Sequence, residues 1–72
     1  MENITITTEY VKLQDALKLA ALVSTGGEAK IAINEGRVSL NGEICLQRGK
    51  KVRPGDLVSY HGRELTVLHA DR

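Results

Sequence analysis

The chain has no tryptophan or phenylalanine, and only two tyrosines, one proline, one methionine and one cysteine among its 72 residues. With Tyr10 and Tyr60 as the only aromatics, a module that stacks unpaired bases on a sheet of aromatic side chains is not expected. Cys45 has no partner for an internal disulfide. It lies in a predicted strand between Ile44 and Leu46, with no second thiol or nearby histidine to suggest zinc, so we read it as a packing residue. The longest apolar run, Leu19 to Val23, is far shorter than the ~20 residues of a membrane span. The opening Met1-Glu2-Asn3 shows no cationic, hydrophobic leader, and the expectation is a cytoplasmic protein with no membrane association. His61 and His69 belong to no nucleophilic or metal-binding spacing, and no Walker or dinucleotide glycine motif occurs. Asp15, Glu28 and Glu35 are read as solvated helix-surface carboxylates. No catalytic residue, metal or cofactor is therefore predicted, and the protein is expected not to be an enzyme.

What remains is one small domain spanning residues 1–72, whose 42% hydrophobic and 26% charged residues fit a soluble globular chain. Ile4 and Ile6 alternate with Thr5 and Thr7, which predicts a short strand that is either an edge of the sheet or a lead-in to it. Leu13, Ala16, Leu17 and Ala20 recur at helical spacing from Lys12 onward, giving a first helix that ends near Val23, before Ser24-Thr25-Gly26-Gly27. Thr25 and Glu28 have the spacing of a capping box, and Ala29, Ala32 and Ile33 form the stripe of a second helix that stops at Gly36. The small residues Ala16, Ala20, Ala21, Ala29 and Ala32 let the two helices approach closely.

After Gly36 the period changes to two. Val38 to Leu40 form a strand, Asn41-Gly42 a tight hairpin, and a second strand runs through Ile44 and Leu46. Pro54-Gly55-Asp56 is a further turn, followed by a strand over Leu57 to Tyr60, the turn His61-Gly62 and a last alternating segment from Arg63 to Leu68. The fold class is α+β, two short packed helices followed by a small, mostly antiparallel sheet.

The formal net charge is only +1, yet from Lys30 to Arg53 six basic residues stand against Glu35 and Glu43, a local balance of +4. Four of the cations, Arg48, Lys50, Lys51 and Arg53, fall within six residues just before Pro54-Gly55. Alternation sets Arg48, Lys50 and Val52 on one face and Lys51 and Arg53 on the other, unless Gly49 forms a bulge. At the start of the second helix Gly26 and Gly27 leave amides open to an anion, with Lys30 one turn later. Lys12 and Lys18, on the first helix, either border the same surface or solubilise an exposed face. Arg63 and Arg72 stand beside Glu64 and Asp71, and local ion pairing explains them.

The order Lys12-Leu13, Leu17, Ala20, Leu22, Ser24-Thr25, Ala29-Lys30, Gly36, Val38, Leu40-Asn41-Gly42 and Pro54-Gly55-Asp56 resembles the RNA-binding domain first named for ribosomal protein S-four. The likeness covers about residues 10–60, the core of an alpha-L motif. The run Thr25 to Gly36 looks most like the small free-standing bacterial members of that superfamily. Lys12 stands where the superfamily has an arginine, keeping the charge but not the bidentate fork. Gly26 replaces another arginine, and Lys30 matches a second basic position. The resemblance implies a binding module for structured RNA, ribosomal RNA foremost, with a role in ribosome assembly or maturation and without the enzymatic activities of fused relatives; a monomer is expected. The RNA-binding residues expected are Lys12, Lys18, Thr25, Gly26, Gly27, Lys30, Arg37, Asn41, Arg48, Lys50, Lys51 and Arg53. The alternative is a small protein-interaction adaptor that uses the same basic surface.

Overall fold

Alternation sets the first element: in β1 (Glu2–Ile6) Ile4 and Ile6 are buried while Asn3 and Thr5 face out. This computed structural model describes residues 2–70. The chain continues through β2 (Val11–Lys12), α1 (Leu13–Leu19), α2 (Gly26–Asn34), β3 (Val38–Leu40), β4 (Glu43–Ile44), β5 (Lys51–Val52), β6 (Leu57–Tyr60) and β7 (Arg63–His69). Five strands form a sheet in the order β1-β7-β6-β3-β4, and β2 pairs with β5 in a separate two-stranded ribbon. Among the described residues only β1 and β7 run parallel, in the register Glu2↔Leu65 to Ile6↔His69, so the sheet is mostly antiparallel, and β1 takes the edge position, one of the two expected of it.

The core is aliphatic. Leu13 and Leu17 of α1, Ile33 of α2, and Val38, Val52, Val58, Leu65 and Val67 of the strands are fully buried. Ala16, Ala29 and Ala32 are also buried where the helices pack together. Ala20 is half-buried and packs against this core, whereas Ala21 is exposed.

Helix α1 stops at Leu19, four residues short of the expected Val23. Ala21 takes a left-handed φ of 58°, its N–H donates to Lys18 O (3.0 Å), and Leu22 N–H donates to Leu17 O (3.0 Å). That is a Schellman ending with alanine at the position that favours glycine. The chain reverses here because Val23 is needed in the core, where it is nearly fully buried. Helix α2 ends the same way with the expected residue: Gly36 has φ 74°, and Gly36 N–H and Arg37 N–H donate to Ile33 O and Ala32 O.

The Asn41-Gly42 turn forms as read, with φ values of 52° and 88° and Leu40 opposite Glu43. Strand β4 does not reach Leu46. Cys45 N–H adds one more bond to Val38 O (3.0 Å), and the chain then leaves the sheet for a turn closed by Lys50 N–H to Gln47 O (3.1 Å). Cys45 therefore sits just beyond the strand, half-buried against the core, with its thiol 3.7 Å from Gln47 O.

Candidate nucleic-acid interface

The turn that takes the chain out of the sheet delivers the basic run to the start of α1. Lys12 is the N-cap residue and supplies no side-chain cap. Instead Leu13 N–H donates to Lys50 O (2.9 Å) and Gln14 N–H to Arg48 O (3.1 Å), which satisfies two of the amides that a helix start leaves open. The ribbon then pairs Val11 with Val52 and Lys12 with Lys51. Val52 is fully buried beneath it and Val11 packs against the core, so alternation turns Lys12 and Lys51 outward together, directly opposite one another.

The face question left open by the sequence is resolved by this ribbon. Alternation holds for Lys51, Val52 and Arg53, but Arg48 and Gly49 lie in a turn and do not extend it. Lys50 lines an open groove of about 340 Å³ with Leu40, Glu43, Ile44, Cys45, Leu46 and Gln47. Lys51 Nζ sits 4.9 Å from the centre of the Tyr10 ring, and Arg53 Cζ 5.9 Å from it.

Asn41 is engaged within the fold. Its carboxamide oxygen accepts from Leu57 N–H (2.9 Å) and its amide nitrogen donates to Asp56 (3.1 Å). The other Asp56 oxygen accepts from Arg53 N–H (2.8 Å). Asn41 is thus tied into a network that locks the Pro54-Gly55 turn, and with it the end of the basic run, to the β3–β4 hairpin.

A second group gathers at the entry to α2. Thr25 Oγ1 accepts from Glu28 N–H (3.1 Å), while the Glu28 carboxylate accepts from Ser24 N–H, one residue before the position of a standard capping box. The carboxylate is therefore spent on Ser24 rather than on the Gly26 and Gly27 amides. A methyl group built on Gly26 would lie 3.9 Å from Lys18 Nζ, so Lys18 borders this tip from α1, while the exposed Lys30 stands one turn further along α2. The two groups sit at opposite ends of α1, Lys12 and Lys18 being ~9 Å apart along the axis. Arg37 follows the far end of α2, ~13 Å from the tip, and pairs with Glu35 at 2.9 Å.

Ion pairing separates the cations further. Lys18 is held by Asp15 (3.8 Å) and Arg37 by Glu35. Arg63 pairs across the sheet with Glu2 rather than with its neighbour Glu64; Asp71 and Arg72 lie outside the described residues. Among the described residues Lys12, Lys30, Arg48, Lys50, Lys51 and Arg53 have no carboxylate partner. Reading the sequence missed Tyr10 and Asp56. The signal for Tyr10 was its place two residues before Lys12 in an alternating segment, and for Asp56 its place at the close of a Pro-Gly turn.

A family model described as an S4 domain matches residues 4–68. The chain belongs to the S4 domain family. Two relatives in this family are similar over 59 residues and 82% of the chain. One is YbcJ of Escherichia coli K12, provisionally named as an RNA-binding protein, which is 37% identical with 84% of its length covered. The other, RlbA of Bacillus subtilis 168, is provisionally named as a ribosome maturation protein and is 41% identical with 83% covered. The solution structure of E. coli YbcJ, described as revealing an alpha-L motif involved in RNA binding, superposes with a TM-score of 0.73 at 33% identity, covering 94% of this chain and 87% of that one. Ribosomal protein S4e from Thermoplasma acidophilum shares the fold alone, with a TM-score of 0.68 at 19% identity over 81% of this chain and 31% of that one. The S4 domain here is thus the alpha-L arrangement the resemblance implied, with the basic ribbon bonded to the start of its first helix.

Proposed function

We propose that this S4 domain is a non-enzymatic, cytoplasmic RNA-binding protein that takes structured RNA, ribosomal RNA foremost, as a monomer and acts in ribosome maturation. The observation that carries the reading is the ribbon, where Lys12 and Lys51 point outward side by side with no carboxylate to neutralise them. Like charges placed directly across a strand pair repel, and a phosphate backbone relieves that repulsion. Arg48, Lys50 and Arg53 extend the surface, while Lys18, Lys30 and the Thr25–Gly27 helix entry contribute a second contact with a positive dipole. The names and described motif of the relatives support the same ligand class. No group of three or more potential metal ligands occurs among the described residues, and no described helix is long and apolar enough to cross a membrane.

The test is a salt titration of binding to a ribosomal RNA stem-loop. The double variant Lys12→Ala/Lys51→Ala should weaken binding to related and unrelated stem-loops alike, and reduce the logarithmic salt slope by about 1.5 to 2. Arg37→Ala, whose guanidinium is already paired, should change the slope by much less. Unchanged affinity and slope in the double variant would leave the ribbon a solvated surface.

A second reading, the protein-interaction adaptor, draws on the groove beside Lys50, where Ile44 and Leu46 are 65% and 60% exposed. Partners retained after nuclease digestion would favour it.

A further inference from the structure

We infer that Tyr10 is a positioning residue of the RNA-contacting ribbon: its ring holds Lys51 and Arg53 together on the face that meets phosphate. The inference rests on the functional reading above and deepens it by adding a residue with no charge. Lys51 Nζ lies 4.9 Å from the ring centre, well inside the ~6 Å reach of a cation–π contact, and Arg53 Cζ at 5.9 Å lies at its edge. The larger effect is therefore expected through Lys51.

The backbone geometry explains why the ring stands there. The register pairs Lys12 with Lys51, and one step of alternation further sets Tyr10 opposite Arg53 on the same outward face. Thr8 Oγ1 donates to Tyr10 O at 2.8 Å, which fixes the main chain at the ring. The adjoining Glu9 makes no ion pair with either cation.

The chemistry fits a phosphate surface. A carboxylate would order the two side chains but cancel the charge that a phosphate requires. An aromatic face orders a cation and leaves its charge available. Tyr10 also opposes the repulsion between Lys12 and Lys51, so the free protein holds the ribbon near the arrangement that RNA needs and loses less side-chain freedom on binding.

Binding of a mixed-sequence RNA stem-loop is measured across a salt series for the parent, Tyr10→Phe, Tyr10→Leu and Lys51→Ala/Arg53→Ala, and for Tyr10→Leu in the Lys51→Ala/Arg53→Ala background. Tyr10→Leu should lower affinity about three- to tenfold and flatten the salt slope, while Tyr10→Phe, which keeps the ring face, should behave as the parent. In the Lys51→Ala/Arg53→Ala background Tyr10→Leu should have no further effect. Proton NMR gives a readout without RNA: the methylene protons beside Lys51 Nζ and Arg53 Nε should be shifted upfield by the ring in the parent and in Tyr10→Phe. That measurement decides the contact even where Tyr10→Leu loses stability. An equal loss from Tyr10→Leu in both backgrounds, parent-like binding by Tyr10→Leu, or the absence of ring shifts in the parent would overturn the inference. If Lys51→Ala/Arg53→Ala itself binds as the parent does, the functional reading fails and the inference with it, a result distinct from a failure of Tyr10 alone.

Discussion

Helix α1 starts on carbonyls supplied from far along the chain, Lys50 O and Arg48 O, whereas α2 starts on its own Thr25 hydroxyl with Glu28 turned back to Ser24. The first arrangement is tertiary and the second local. The difference matters for function because the same bonds that cap α1 also place the basic run, so the helix start and the cationic ribbon form or fail together. At α2 the cap forms with no help from the rest of the fold, and the glycines following it stay open.

Four substitutions break or sharpen this contrast. Val52→Ala, which removes fully buried methyls under the ribbon, should cost about 2 kcal/mol in chemical denaturation. It should also weaken stem-loop binding, since the ribbon is what holds Lys51 opposite Lys12. Thr25→Ala should cost about 1 kcal/mol, with the loss confined to α2, visible as faster amide exchange at Glu28 while Leu13 and Gln14 stay protected. Ala21→Gly should stabilise by about 0.5 to 1 kcal/mol and raise the thermal midpoint by several degrees, because the left-handed φ of Ala21 suits glycine. The smallest effect is expected of Lys12→Ser. A serine at an N-cap accepts from the second or third helical amide, and here the second, Gln14 N–H, already donates to Arg48 O, which leaves only Asp15 N–H to gain, so stability should rise by no more than about 0.5 kcal/mol in chemical denaturation.

The groups of cations differ in a similar way. Lys18 and Arg37 lie within a few residues of the acids that pair with them, Asp15 and Glu35, and such neighbours are visible in sequence. The lack of a partner for Lys12 and Lys51 follows from a strand pairing across the fold and was not visible there. Asn41 shows the reverse problem. Its turn was read from the Asn-Gly pair, but the commitment of its carboxamide to Asp56 and Leu57 needed the two turns to be brought side by side. Helix α1 was read too long for a related reason: Ala20-Ala21-Leu22-Val23 suits a helix locally, and the demand of the core for Val23 ends it.

Local chemistry by itself settled the strand from Leu57 to Tyr60, the hairpin at Asn41-Gly42, the cap at Thr25, the stop at Gly36 and the surplus of positive charge between Lys30 and Arg53. Those features depend on spacing and on backbone preferences within a few residues. Only the folded chain decided that β5 would pair with β2 and that Lys51 would face Lys12 beside Tyr10. Such pairings join segments far apart along the chain, and the burial of Val52, which no local pattern encodes, selects the register that turns the charges outward together.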